Sequence, residues 1–199
     1  MSHRLAPKLL AEFIGTFAFV LVGAGASAVV SDGVGLPGIT AIAFAHGLAI
    51  MAFVFAYGPV SGGHMNPGVT VGVLAVGAMR AGEAIGYIVS QLVGGVMAAL
   101  LLAALLHGPA TGLGTPALAH NLALGVTSIT ITPFASFMIE AVLAFFLVTI
   151  VLSTAVAGRA GNLAPLAIGM TVTFNIIMGV ALTGAPFNPA LVLGPMIAT

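Results

Sequence analysis

The sequence predicts an all-α membrane protein, and three observations support this fold class. Of the 199 residues, 60% are hydrophobic and only 4% are charged, and the mean hydropathy is +1.26. Soluble domains carry about 25% charged residues. Long uncharged segments separate the charges, and a helix of ~20 apolar residues is enough to span a bilayer. Two Asn-Pro sequences, at Asn66 and Asn188, lie within apolar sequence. They indicate short helices that enter the membrane without crossing it.

Five apolar segments are long enough to span a bilayer as helices. They are Leu9–Val30, Ile39–Tyr57, Ala84–Leu106, Phe134–Ala157 and Leu163–Leu182. The intervening residues 31–38, 58–63 and 107–133 contain the Gly and Pro residues that are typical of loops. The first segment contains Glu12 and is longer than the apolar part of a signal peptide, so we expect it to be retained as a span.

Each Asn-Pro sequence predicts the start of a short helix, because Asn is favoured at the N-cap and Pro fits the first helical turn. The two segments are Asn66–Val76 and Asn188–Ile197. A helix of this length is about 15 Å long, which is half the thickness of the hydrocarbon layer. We therefore expect two half-helices that enter the membrane from opposite sides and meet at its centre.

Equivalent residues recur in the two halves of the chain, which indicates an internal repeat. A glycine lies nineteen residues before each Asn and another lies six residues after it: Gly47, Asn66 and Gly72 in the first half, and Gly169, Asn188 and Gly194 in the second. Three spans separate the copies, so the second copy is inverted in the membrane. We assign residues 1–106 to the first repeat, 107–133 to a connecting loop and 134–199 to the second repeat.

The basic residues predict the orientation of the chain. A cytoplasmic N-terminus followed by five crossings places Arg4, Lys8, Arg80 and Arg159 on the cytoplasmic side and residues 107–133 outside. The net charge is zero, so nothing indicates a nucleic-acid partner. The sequence has no cysteine and shows no residue pattern typical of a metal, cofactor or catalytic site, so we expect neither a cofactor nor enzymatic activity.

Three segments closely resemble the major intrinsic protein family, which comprises the aquaporins and glycerol facilitators. They are residues 11–16 (AEFIGT), 61–70 (SGGHMNPGVT) and 183–190 (TGAPFNPA). The resemblance covers nearly the whole chain. It implies an aquaporin-like inverted repeat with five spans and two re-entrant half-helices, a passive channel for water or small neutral solutes such as glycerol, and a homotetramer in the lipid bilayer.

The resemblance also implies which residues line the pore. Asn66 and Asn188 would present their side-chain NH₂ groups at the membrane centre. The rest of the two half-helix motifs consists of Pro67, Gly68, Pro189 and Ala190, with Gly68 where the family usually has Ala. The narrow filter would be formed by His46, Ile176, Ala185 and Leu191. Leu191 stands where the family usually has Arg, so this filter would be unusually apolar.

Several residues allow a structural as well as a functional interpretation. Each Asn could simply cap its half-helix, and His46 could be packed between helices instead of lining a pore. Glu12 and Glu140 lie within apolar spans, where ionisable groups are costly. The resemblance favours a structural role for both carboxylates, as acceptors of hydrogen bonds from the loops that carry the Asn-Pro motifs.

The length of the second repeat leaves two functions open. Family members continue into a sixth span, whereas this sequence ends at Thr199 after the second half-helix. The first function is a channel with an atypical filter, and the alternative is a non-conducting, truncated aquaporin-like membrane subunit. A third function, ion or proton transport through Glu12, Glu140 or His46, is disfavoured because no series of titratable residues accompanies them.

Overall fold

A computed structural model describes residues 5–30 and 36–199 as seven α-helices and one short hairpin. The helices are α1 (Leu5–Val30), α2 (Leu36–Ser61), α3 (Pro67–Ala75), α4 (Ala81–Leu105), α5 (Pro133–Val151), α6 (Ala164–Thr183) and α7 (Pro189–Ala198). Among the described residues, five helices are long and apolar enough to cross a membrane, while α3 and α7 have nine and ten residues. The all-α fold class with five spans and two half-helices is thus confirmed.

Helix α2 continues further than the sequence predicts. Gly58 and Pro59 were expected to begin a loop, but both lie inside α2, which ends at Ser61. The helix ends where the backbone enters the left-handed region, with φ of +90° at Gly62 and +64° at Gly63. Glycine adopts this conformation without a steric cost. The glycine pair therefore terminates the helix, and Pro59 is accommodated in its last turn.

The connecting segment 107–133 contains more regular structure than a loop. Residues Pro109–Gly114 form a 3₁₀ turn, and strands β1 (Leu122–Leu124) and β2 (Thr127–Ile129) form an antiparallel hairpin. The backbone of Ala119 joins this segment to the bundle by donating a hydrogen bond to the Leu182 carbonyl (2.9 Å). At the other end of the bundle, α5 continues into a π-helical turn at Leu152–Val156.

Glycines allow the helices to cross at short distances. In α4, Gly94 lies against the Phe13 backbone of α1, and a Cβ built on Gly94 would be 2.6 Å from the Phe13 carbonyl oxygen. In α3, Gly72 lies against the Val148 side chain of α5. Close crossings of this kind stabilise helix packing in membranes, where van der Waals contact replaces the hydrophobic effect between helices. They also bring α3 and α7 into the centre of the bundle.

Candidate pore and filter

The two Asn side chains cap the half-helices, as the sequence predicts. Asn66 Oδ1 accepts a hydrogen bond from the Gly68 backbone N–H (2.7 Å), and Asn188 Oδ1 accepts one from the Ala190 backbone N–H (3.0 Å). Each Asn has an extended backbone, which is usual at an N-cap. The oxygen of each amide is therefore used within its own half-helix, and its NH₂ group is directed away from it.

The same two amides join the half-helices to each other. Asn66 Nδ2 donates to the Phe187 carbonyl (3.2 Å), and Asn188 Nδ2 donates to the Met65 carbonyl (2.9 Å). Both side chains line a small cavity of about 10 Å³, which we call the central cavity. Each NH₂ group has two N–H donors. One of them is used in the cross-link, so the other remains available to a molecule in the central cavity.

The remaining motif residues fit the half-helices tightly. Pro67 and Pro189 are the first residues of α3 and α7. Ala190 packs against Gly95 of α4. A Cβ built on Gly68 would lie 3.2 Å from Asn66 Oδ1, which is closer than ordinary van der Waals contact. Glycine at this position therefore leaves space for the capping amide.

Larger cavities lie at both ends of the bundle. The upper cavity, about 300 Å³, adjoins the connecting segment and is lined by residues that include Ser27, Ile42, Val180 and Gly184. The lower cavity, about 390 Å³, is lined by residues that include Val54, His64, Val151 and Asn162. The lower and central cavities share the side chains of Val54, His64 and Val151, so they adjoin each other.

Helix periodicity places His46 between the upper and central cavities. On α2, Ile42 lines the upper cavity and Ile50 lines the central cavity. Residues four apart lie on the same face of a helix. His46 lies four residues from each, and is therefore on the same face at an intermediate level.

Two other predicted filter residues, Ile176 and Ala185, lie in the chain between residues that line the same two cavities. On α6, Ile176 lies midway between Val172 of the central cavity and Val180 of the upper cavity. In the chain, Ala185 lies between Gly184 of the upper cavity and Asn188 of the central cavity. We call the region between these two cavities the filter level. Leu191, in the first turn of α7, is part of the buried apolar core.

The His46 ring is held by contacts from α1 and α2. Its Nδ1 lies 2.9 Å from the Ile42 carbonyl oxygen, and because a carbonyl only accepts, Nδ1 carries the proton. The ring of Phe19 meets it edge-on, with the ring centroids 5.5 Å apart. The side chain is only 3% exposed. His46 therefore packs between helices and also lies at the filter level, so the two interpretations of this residue are compatible.

Glu12 is the centre of a buried hydrogen-bond network. Its carboxylate accepts hydrogen bonds from the backbone N–H groups of His64 (2.9 Å) and Met65 (2.6 Å), from Ser61 Oγ (2.6 Å) and from Gln91 Nε2 (2.7 Å). Two of these donors precede Asn66 directly in the chain. Buried polar groups are stable when they are hydrogen-bonded, and charge-assisted bonds are the strongest. This carboxylate therefore holds the loop that leads to Asn66.

Glu140 has fewer partners than Glu12. It accepts a hydrogen bond from the Thr183 hydroxyl through Oε1, and its buried Oε2 has no partner among the described residues. Pro186 follows Thr183 and occupies the position equivalent to His64, and proline has no N–H to donate. Among the described residues, the loop that leads to Asn188 is bonded to Glu140 through the Thr183 side chain only, and Pro186 accounts for one of the missing donors.

The sequence analysis missed two residues of the Glu12 network. Gln91 Nε2 bonds to Thr70 Oγ1 (2.9 Å) as well as to Glu12, and Tyr87 donates to the Ser61 carbonyl (2.7 Å). Both residues belong to α4. A lone amide within an apolar span is the signal that could have identified Gln91, because polar groups inside a membrane are expensive unless they are bonded.

His64 lies in the loop between α2 and α3, outside the five spans, and lines both the central and the lower cavity. Its Nδ1 lies 3.1 Å from Thr70 Oγ1, and its ring meets that of Tyr87 edge-on. Burial lowers the pKa of His64, although the negative charge of Glu12 opposes this shift. Burial therefore favours the neutral form of this imidazole.

The comparison with known families and proteins agrees with this geometry. The family model described as major intrinsic protein matches residues 1–199. The chain belongs to the major intrinsic protein family. It is 38% identical to Aquaporin TIP1-2 of Zea mays, an alignment that covers 100% of this chain and 78% of that protein. It is 37% identical to Glycerol uptake facilitator protein-like 6 of Lactiplantibacillus plantarum, over 96% of this chain and 83% of that protein.

A solved structure shows the same fold as this major intrinsic protein. The X-ray structure of the aquaglyceroporin from Plasmodium falciparum matches with a TM-score of 0.79 at 20% identity, covering 98% of this chain and 81% of the other. With the family and the five apolar helices, the chain is an integral, multi-pass membrane protein. Proteins of this family are channels and not enzymes, and the relatives indicate a channel for water or small solutes.

Proposed function

We propose that the protein is a passive channel for water and for small neutral solutes such as glycerol, with an atypical apolar filter. The path would lead from the upper cavity through the filter level to the central and lower cavities. The observation that supports the proposal is that His46 on α2 and Ile176 on α6 each lie between a residue of the upper cavity and a residue of the central cavity. Leu191, a buried residue in the first turn of α7, would complete this filter. No charged side chain of the described residues lines the upper or the central cavity.

The chemistry of this filter favours selection by size. An Arg at the position of Leu191 would bring a fixed charge and several hydrogen-bond donors. Leu191 brings neither, so a solute at the filter would form fewer hydrogen bonds with the protein in place of those that it makes with water. At the centre, the free N–H donors of Asn66 and Asn188 would bind the oxygen of water or of an alcohol. Positive potential at the N-termini of α3 and α7 opposes cations.

The proposal includes the arrangement of the chain in the membrane. Residues 1–106 and 134–199 would form the two repeats, the connecting segment 107–133 would be extracellular and the N-terminus cytoplasmic. A homotetramer is the assembly that we propose. Cross-linking in native membranes followed by mass measurement tests the tetramer. The orientation is tested with a cysteine introduced at Val126, which is fully exposed: a bulky, membrane-impermeant reagent should label it from the extracellular side.

Stopped-flow measurements on proteoliposomes test the channel. We expect faster osmotic shrinkage in water and faster re-swelling with glycerol than in empty vesicles. Leu191→Arg should narrow the filter and lower the glycerol-to-water permeability ratio, whereas Leu191→Met conserves volume and polarity and should leave the ratio nearly unchanged. An unchanged or higher ratio in Leu191→Arg would argue against the proposed filter.

A second candidate function is a non-conducting membrane subunit. The small volume of the central cavity favours it, because about 10 Å³ holds at most a single water molecule. All four filter residues are also buried. The same experiment separates the two functions: permeability no higher than in empty vesicles, for water and for glycerol alike, would favour the non-conducting subunit.

A further inference from the structure

Helix α1 passes the filter level at a glycine. Phe19 lines the central cavity and Ser27 lines the upper cavity, and Gly23 lies four residues from each. By the helical periodicity that places His46 and Ile176 at this level, Gly23 is on the same face as Phe19 and Ser27. Helices α2 and α6 therefore present side chains at the filter level, whereas α1 presents bare backbone.

The imidazole of His46 occupies the space that a side chain at position 23 would need. A Cβ built on Gly23 would lie 2.5 Å from His46 Nε2 and 2.9 Å from Cε1, and it would overlap Cδ2. Non-bonded carbon atoms rest about 3.5–4.0 Å apart. The Nε2 edge of the ring is thus in contact with the α1 backbone, and any side chain at position 23 has to displace it.

Other contacts restrict the direction in which the ring can be displaced. Its Nδ1 is bonded to the Ile42 carbonyl, and the Phe19 ring meets it edge-on from one turn of α1 below Gly23. Both partners oppose movement along the bundle axis. A ring that is forced away from Gly23 therefore moves sideways, away from the α1 backbone and into the space between the helices at the filter level.

We propose that Gly23 is a specificity-determining residue of the channel: its missing side chain forms a notch that keeps the His46 imidazole out of the solute path and so sets the filter width. The inference rests on the proposed filter and adds to it a residue of α1. The notch also holds Nε2, the unprotonated nitrogen, against α1 together with the ring carbons Cδ2 and Cε1. Since Nδ1 is bonded to the Ile42 carbonyl, the ring offers a solute no free nitrogen. The opening would be wide enough for a solute larger than water only while position 23 carries no side chain and the ring can occupy the notch.

Gly23→Ala tests this inference in proteoliposomes. The added methyl should displace the ring and lower the glycerol-to-water permeability ratio at least about threefold, because a narrower filter excludes the larger solute first. The matched control is Gly25→Ala on the same helix, where an added Cβ would meet only Leu102 Cδ1, at the ordinary distance of 3.6 Å. Gly25→Ala should keep the wild-type ratio. An unchanged ratio in Gly23→Ala, or an equal fall in both variants, overturns the inference.

The double variant Gly23→Ala/His46→Ala shows whether the effect acts through the imidazole. Without the ring there is nothing to displace, so the double variant should have the same ratio as His46→Ala alone. Non-additivity of this kind identifies two side chains that interact directly. If Gly23→Ala lowers the ratio equally with and without His46, the notch is not the cause.

Stability measurements keep the inference testable independently of transport. The melting temperature in detergent should fall in Gly23→Ala and recover when His46→Ala is added; if Gly23→Ala yields no folded protein, the double variant should restore the yield. Absence of recovery overturns the inference. If the wild-type protein conducts neither solute, the channel proposal fails, whereas the recovery of stability still shows whether Gly23 positions the ring.

Discussion

Gly47 of α2 and Gly169 of α6, which are equivalent residues of the two repeats, lie in direct contact with each other. A Cβ built on Gly47 would be 2.6 Å from the Gly169 carbonyl oxygen, and a Cβ built on Gly169 would be 2.7 Å from the Gly47 carbonyl oxygen. The near equality of the two distances is what the predicted two-fold relation between the repeats would produce. Gly47 directly follows His46 in α2, so this contact between α2 and α6 adjoins the His46 position.

This contact predicts that Gly47→Ala is destabilising. The methyl would also meet the Thr173 hydroxyl, so α2 and α6 would have to separate. We expect a loss of about 1–3 kcal/mol, which is usual for overpacking a close contact, and a lower melting temperature in detergent. Gly82→Ala in α4 is the control, because nothing lies within 4 Å of its built Cβ. A melting temperature that Gly47→Ala leaves unchanged would contradict the contact.

The two buried carboxylates predict unequal effects of the same substitution. In Glu12→Gln the amide NH₂ would face donors, leaving at least one of four hydrogen bonds unmade, and we expect a loss of more than about 2 kcal/mol. Glu140→Gln alters a side chain that accepts only from Thr183 through one oxygen, so the expected loss is about 1 kcal/mol or less.

Circular dichroism melting curves of both variants in the same detergent measure this difference. Gln91→Leu and Glu12→Gln both disturb the hydrogen bond between these two side chains. The double variant should therefore lose less stability than the sum of the losses in the two single variants. Equal losses of stability in Glu12→Gln and Glu140→Gln would show that the different number of hydrogen bonds to the two carboxylates does not affect stability.

The cross-link between the half-helices predicts the effect of Asn188→Asp. A carboxylate can still cap α7 by accepting from the Ala190 N–H, but it cannot donate to the Met65 carbonyl, and two oxygens would face each other there. We expect a loss of about 1–3 kcal/mol and reduced permeability for water. Asn121→Asp is the control, since Asn121 is exposed in the connecting segment and lines none of the three cavities of the proposed path. Wild-type stability in Asn188→Asp would show that the cross-link is dispensable.

The half-helices could be predicted from the sequence because their signals are local. An N-cap Asn and a Pro at the first helical position act within one helical turn of residues 66 and 188, and each span is a continuous apolar run. The end of α2 was misplaced for an equally local reason. Gly58-Pro59 resembles a helix terminator, but the backbone turns at Gly62, where φ is positive.

The contacts between distant residues could not be predicted in the same way. Gln91 reaches Glu12 across 79 positions, and the His46 ring lies against Gly23 of a different helix. Sequence patterns identify which residues share one helix face, but not which face of the neighbouring helix meets it. His46 and Ile176 were identified as filter residues through the resemblance to a family. Gly23 has no side chain, so the sequence contains no signal that identifies it as part of the filter.

The backbone at Ala185 predicts a substitution that should increase stability. Its φ is +52°, in the left-handed region that non-glycine residues rarely adopt, and the equivalent residue of the first repeat is Gly63, with φ of +64°. Ala185→Gly should relieve this strain and raise the stability by up to about 1 kcal/mol, reduced by the lost contact of the methyl with Gly179. The reverse change, Gly63→Ala, should be destabilising, because its Cβ would also lie 3.3 Å from the Val54 backbone.

Melting temperatures of Ala185→Gly and Gly63→Ala in one detergent compare the two loops directly. The strained backbone at Ala185 is held by the Thr183 hydroxyl, which accepts a hydrogen bond from the Ala185 N–H (3.1 Å), just as Ser61 holds Gly63. The donor in each of these hydrogen bonds is a backbone N–H, so both substitutions keep it. The difference in melting temperature between the variants therefore reports on the residue at position 63 or 185 and not on this hydrogen bond. If Ala185→Gly lowers the melting temperature as much as Gly63→Ala does, packing of the Ala185 methyl outweighs the strain of its backbone.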